Sequence, residues 1–172
     1  PPGATSYQFP TDVTFEINID NSSVVDAADP YGDGGTIRHP ERIVEDITFR
    51  IRFNPDGSAR ILRLGRGGPG LFQPGLVSFF SGLRDDPFIR GPRIGRNVGA
   101  IVLEMPLSSV LARQSTLLIW ATSSVADFDG PFQEITGRSL KSMFPENSGF
   151  NTLHPRHHFR RLGKTPDVII FK

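Results

Sequence analysis

Val13-Thr14-Phe15-Glu16-Ile17-Asn18-Ile19 alternates apolar and polar side chains along its length. A period of two puts Val13, Phe15, Ile17 and Ile19 on one side of an extended chain and Thr14, Glu16 and Asn18 on the other, the pattern of a strand with one wet face. The pattern repeats in Ile47, Phe49, Ile51 and Phe53, with Thr48, Arg50 and Arg52 between them. Asn54-Pro55-Asp56-Gly57 follows at once. Proline presets φ there and glycine accepts a positive φ, so the chain is expected to turn back into a third strand at Ala59 to Leu64. Glu16, Arg50 and Arg52 fall on polar faces, where they can pair across strands if the first two strands are neighbours.

Working outward from this hairpin, further strands are expected at Leu76 to Ser81, Val98 to Glu104, Thr116 to Thr122 and Val168 to Phe171. Met105 to Leu111, with Pro106 in its first turn, fits a short helix. Gln133 to Met143, with Ile135, Leu140 and Met143 on a narrow apolar stripe, is the one longer helix expected. Gly65 to Gly75 reads as a loop, and it lacks the Lys and Ser/Thr ending of a phosphate-binding loop. With 18 Gly and 15 Pro in 172 residues, about a fifth of the chain against an ordinary level of about 12%, long uninterrupted helices are ruled out over most of it. The 14 Phe supply large apolar groups that offset ordering entropy and argue against disorder. The expectation is one β-rich domain over residues 1–172, mostly β, built as an antiparallel β-sandwich or open barrel with long loops and one or two short helices. Trp120, midway in an apolar strand, is expected as a core anchor.

The chain has no cysteine, which excludes disulfides, thiolate zinc sites and thiol nucleophiles. Its longest apolar run, Leu117 to Ala121, is strand-sized, far short of the roughly 20 residues of a membrane helix. Residue 1 is Pro, not Met, which leaves room for a removed signal peptide or lipid anchor ahead of it. The net charge of +1 hides an asymmetry: residues 1–50 carry nine Asp and Glu against three Arg, and the remainder carries nine acids against 16 bases. The basic excess peaks in His154-Pro-Arg156-His157-His158-Phe-Arg160-Arg161-Leu-Gly-Lys164. Without a nucleic-acid motif or a domain-wide positive balance, Arg156, His157, His158, Arg160, Arg161 and Lys164 read as a solvated, partner-facing surface rather than a nucleic-acid footprint.

Three sets of residues could carry chemistry. Asp20, Asn21, Asp26, Asp29 and Asp33 lie in the long connection after the first strand, with Glu45 and Asp46 at its far end; oxygen donors on a glycine-containing loop are what calcium takes. Their spacing is not that of an EF-hand, and the same residue types populate turns for local hydrogen bonding, so calcium binding and turn formation both stand as readings. Gly82-Leu-Arg84-Asp85-Asp86-Pro-Phe88 places two carboxylates side by side, on opposite faces if extended. A structural role is expected for Arg84, Asp85 and Asp86, in which the arginine and one carboxylate bond loop backbone or each other; acid/base work by Asp85 or Asp86 is the alternative. His154, His157 and His158 have helical metal-ligand spacing, but Pro155 interrupts it and no acidic residue stands beside them, so a surface patch is expected over a metal site.

Asp12-Val-Thr-Phe-Glu-Ile-Asn-Ile-Asp20-Asn21, Glu45-Asp-Ile-Thr-Phe-Arg-Ile-Arg-Phe53, Gly82-Leu-Arg-Asp-Asp-Pro-Phe88, Ala100-Ile-Val-Leu-Glu-Met-Pro-Leu107 and Ile119-Trp-Ala-Thr122, in that order, resemble a bacterial exported domain family of unknown function. The likeness spans roughly residues 10 to 172, and Arg-Asp-Asp-Pro-Phe is its most specific element. Members are usually longer and often carry further aromatics and an Asp after that segment, where Ile89-Arg90-Gly91 stands here. The resemblance implies an exported, mostly β domain in the periplasm or outside the cell, with no established reaction to carry over.

The functional expectation is a non-catalytic interaction or structural module outside the cytoplasm, an accessory subunit of a larger membrane-attached assembly of protein subunits, with no cofactor beyond a calcium ion on the acidic loop. A calcium- or ligand-binding domain and a hydrolase of an extracellular polymer are the alternatives. Loops on a rigid β scaffold are natural contact surfaces.

Overall fold

The computed structural model describes residues 7–26, 35–65, 70–71, 77–85, 97–112, 116–125, 134–137 and 145–171. Among them the chain forms nine strands: β1 (Val13–Asp20), β2 (Ile47–Phe53), β3 (Ala59–Gly65), β4 (Gly70–Leu71), β5 (Ser78–Asp85), β6 (Asn97–Glu104), β7 (Leu117–Val125), β8 (Glu134–Thr136) and β9 (Ile169–Phe171). The main sheet runs β4-β3-β2-β1-β7, with β8 and β9 both paired to the far edge of β7, and every pairing is antiparallel. β5 and β6 form a separate two-stranded ribbon. The mostly β architecture expected from the alternation is the one found, with two sheets and no closed barrel.

The register explains both layers. Phe15 lies opposite Ile51, Ile17 opposite Phe49 and Ala121, and Ile19 opposite Ile47 and Ile119, so the odd residues of β1 build one continuous apolar face. Ile51, Phe53 and Ile61 on that face are covered by Phe79, Ile101 and Leu103 of the ribbon. Phe9 stacks on Phe53 with ring centroids 4.5 Å apart and meets Phe15 edge-on at 5.7 Å. Asn54 to Ser58 makes the expected turn, with Gly57 N–H donating to the Asn54 carbonyl.

The opposite face is divided. On β7 and β8, Leu118, Trp120 and Ile135 form a second core with Ile37 and Ile43 of the β1–β2 connection and with Val168. Trp120 is 1% exposed there. Towards β2 and β3 the face is polar: Arg50 Nε donates to Glu16 at 2.7 Å, Thr122 Oγ1 to Glu16 at 3.2 Å, Arg52 Nε to Thr14 Oγ1 at 2.9 Å and Thr48 Oγ1 to Asn18 at 2.9 Å. The pairing of Glu16 with an arginine of β2 is thus made by Arg50, while Arg52 is held by Thr14.

Several local expectations change. Glu134–Thr136 is strand rather than the start of a helix, because pairing with β7 places Ile135 wholly inside the second core; residues 138–144 lie outside the described residues. Gly137 permits this path, since a Cβ there would lie 2.1 Å from the Asp167 carbonyl oxygen. Gly65 closes β3 and Gly70–Leu71 pairs with it as β4, so the glycine-rich stretch is not loop throughout. β5 continues past Ser81 to Asp85, pairing residue for residue with β6. The short helix expected at Met105 to Leu111 is a single 3-10 turn, Leu107–Ser109. A five-residue α-helix, α1 (His158–Leu162), was not foreseen: it grows out of a 3-10 turn, Pro155–His157, in which the proline that interrupts the histidines starts the turn. No helix among the described residues is long and apolar enough to cross a membrane.

Candidate functional site

The histidines of the basic segment do not share one environment. His158 is fully buried and His154 nearly so. His154 Nδ1 accepts the Arg156 backbone N–H at 3.2 Å, which caps the 3-10 turn and leaves its proton on Nε2, 2.7 Å from Glu45. This bond holds the Glu45 carboxyl below its ordinary pKa, against the opposing effect of burial. His158 Nδ1 likewise accepts the Asp167 N–H at 3.0 Å, and Nε2 donates to the Leu153 carbonyl. Its ring lies edge-on to Phe150, and that of His154 edge-on to Trp120 at 5.5 Å. With both nitrogens of each ring engaged, neither offers a lone pair to a substrate. His158 ties the segment to itself between Leu153 and Asp167, and His154 joins it to Glu45 of the β1–β2 connection while lying against Trp120 of β7.

His158 therefore does not belong to the exposed surface expected for it, and the expectation that no carboxylate supports the histidines is overturned by Glu45, 109 residues from His154 in sequence. Arg156, Arg160 and Arg161 are exposed, and Phe159 between them is 61% exposed. His157 is half-buried; desolvation first, then the charges of Arg156 and Arg161, lower its pKa. Lys164 turns inward, donating to the Glu146 carbonyl at 3.0 Å and to Asn147.

The described acidic residues of the connection are spread rather than gathered. Asp20 is buried and accepts the N–H groups of Ser22, Ser23 and Val44 together with both serine hydroxyls. Asn21 donates its side-chain amide to the Val110 carbonyl at 2.7 Å, and Asp26 pairs with Arg38 at the surface. Asp29 and Asp33 lie outside the described residues. Among the described residues no three His, Asp or Glu side chains are placed to hold one metal ion. In the remaining set, Arg84 lies 3.7 Å above the ring of Phe80, and the ring itself lies against Gly82, where a Cβ would meet it at 3.1 Å. Among the described residues the partner of Arg84 is thus an aromatic face. Asp85 ends β5 opposite Asn97, and Asp86 lies outside the described residues.

An apolar cleft was not signalled by any motif. Among the described residues the ribbon covers the β2–β3 side of the apolar face and leaves the β7–β9 side open, and between them lies a cleft of about 470 Å³. Ile17 and Ile119 line it from the sheet, Leu103 and Leu107 from β6 and the turn that follows, and Phe171 from β9; Glu104 is the one charged residue in its lining. Leu107 and Phe171 are 44% and 47% exposed, and Ile169, opposite Ile119 in the register, is 49% exposed. A concave apolar surface with exposed large side chains at its margin fits recognition rather than bond-breaking. Comparison with family models, curated proteins and solved structures finds no match for the chain.

Proposed function

We propose that the chain is a non-catalytic protein-interaction module that works outside the cytoplasm as an accessory subunit of a membrane-attached assembly. The observation that carries this reading is the apolar cleft beside β9. Among the described residues β9 pairs on one side only, with β7. Its other edge offers backbone donors and acceptors to an added strand, and alternate apolar side chains of such a strand would enter the cleft next to Phe171. The occupant is accordingly an extended apolar segment of a partner protein. The resemblance to exported domains supports the location.

The test is copurification from the native membrane fraction with the wild type, with Phe171→Asp and Leu107→Asp, and with an Arg160→Glu/Arg161→Glu control, each checked for its β circular-dichroism spectrum. A defined partner chain is expected with the wild type and the arginine control and is expected to be lost with either aspartate variant. Retention by both aspartate variants, loss with the arginine control alone, or a wild type that elutes without any partner overturns the proposal.

A further inference from the structure

On the face of the main sheet opposite the cleft, Arg52 of β2 and Arg60 of β3 are directly opposed in the register, and Arg50 lies two residues along β2 on the same side. Like charges placed opposite one another destabilise a sheet unless something neutralises them. Among the described residues the carboxylate bonded to this set is Glu16, and it is bound to Arg50. Three guanidinium groups against one carboxylate leave two positive charges around a depression of about 130 Å³ lined by Arg50, Arg52, Arg60 and Leu62.

The two arginines of β2 are also oriented. Arg50 spends its Nε–H on Glu16 and Arg52 its Nε–H on Thr14, and among the described residues their Nη groups make no hydrogen bond. Anchoring a guanidinium through Nε fixes its plane and leaves the terminal fork as donor, the geometry that grips an oxyanion at two points. Thr14 and Glu16 are themselves held in β1, so this orientation exists before any ligand arrives.

We propose that Arg50, Arg52 and Arg60 bind a phosphate monoester group. The depression is well below the 300–1,000 Å³ of drug-sized sites and suits one tetrahedral group rather than a whole ligand. The residual charge matches a phosphomonoester, which carries about −1.5 to −2 at neutral pH, better than a singly charged sulfate ester. The site lies on the other side of the sheet from the cleft and does not depend on it.

The experiment titrates the full chain at pH 7.5 and low salt with phenyl phosphate and, separately, phenyl sulfate, following backbone and arginine side-chain NMR shifts. Phenyl phosphate is expected to shift the Arg50, Arg52 and Arg60 signals, at least tenfold more tightly than phenyl sulfate. Arg60→Gln and Arg52→Gln are expected to weaken it at least tenfold, while Arg160→Gln leaves it unchanged. In phosphate-free buffer Arg60→Gln is expected to raise Tm, because it removes the opposed charge, and added phenyl phosphate should then raise the wild-type Tm more than the variant's. Equal affinity for the two esters assigns the depression to oxyanions generally and overturns the phosphate reading. Equal binding by Arg60→Gln and the wild type, or no shifts at the arginines, overturns the site.

Discussion

The sheet is covered twice, and the two coverings are held by different forces. The β5–β6 ribbon rests on the apolar face through Phe79, Ile101 and Leu103, all only partly buried. Residues 145–168 reach the β7 side of the other face through Val168, packed with Leu118, Trp120 and Ile135, and through His154, which bonds Glu45 and lies edge-on to Trp120, while His158 bonds Leu153 and Asp167 within the segment itself. Apolar contact is non-directional and tolerates an incomplete fit. A buried hydrogen bond does not, because leaving one partner unpaired costs the full desolvation of that group. The covering built on contact alone leaves a cleft beside it, and the one that adds directional bonds, within itself and to Glu45, buries Phe150, His158 and Val168 completely.

The largest expected effect that could break this contrast is at His158. His158→Ala removes the partner of the buried Asp167 N–H and of the part-buried Leu153 carbonyl, and the unfolding free energy measured in urea is expected to fall by about 3 kcal/mol. Leu103→Ala, which removes a partly buried side chain from the ribbon, is expected to cost about 1–2 kcal/mol. A larger loss at Leu103 than at His158 would reverse the assignment of the two forces.

Next in size is Glu45→Gln, which keeps the shape of the pair with His154 and removes its charge. The loss at neutral pH is expected near 1 kcal/mol, below the usual range for a charged hydrogen bond because Glu45 is 34% exposed. The pKa of Glu45 is lowered in the fold, so its stabilisation is complete above the unfolded carboxylate value of about 4.3 and disappears as pH falls through the folded value. Stability curves of wild type and Glu45→Gln should therefore converge below about pH 4, and a gap that persists in acid would mean that the charge is not what matters.

The smallest effect sharpens the ribbon side of the comparison. Arg84→Ala removes the cation from the face of Phe80 at an exposed position and should cost about 0.5 kcal/mol. Hydrogen exchange ought to register it as faster opening of the β5–β6 amides, with no change along β1 or β2.

Legibility in the sequence followed the range of the interactions. The alternation of β1 and β2 and the Asn54-Pro55-Asp56-Gly57 turn are local patterns, and they led to the central hairpin and to a mostly β class. The contact of Glu45 with His154 joins residues 109 apart, and nothing near either one announces it. The reading of Glu134 to Thr136 as the start of a helix failed for the same reason: Ile135 belongs to a period-two segment of only three residues, and its placement is decided by the edge of β7. Basic composition around residue 160 correctly marked Arg156, Arg160 and Arg161 as exposed, but composition does not separate them from His158, whose burial depends on Asp167 and Leu153. The arginines of β2 were legible as polar-face residues, whereas their opposition to Arg60 needed the register.

The shared far edge of β7 sets an order of events during synthesis. β7 is flanked on one side by β1, about a hundred residues earlier, and on the other by β8 and then β9, the last strand described. The β9 portion of that edge stays unpaired until residue 171 has been made, while the rest of the sheet can already assemble. Between the completion of β7 at Val125 and the synthesis of β9 at Ile169, a nascent chain thus carries an open hydrophobic strand edge, the state most exposed to mispairing with a second copy. Slowing the synthesis of residues 126–171 should raise aggregation even though the folded structure is unchanged.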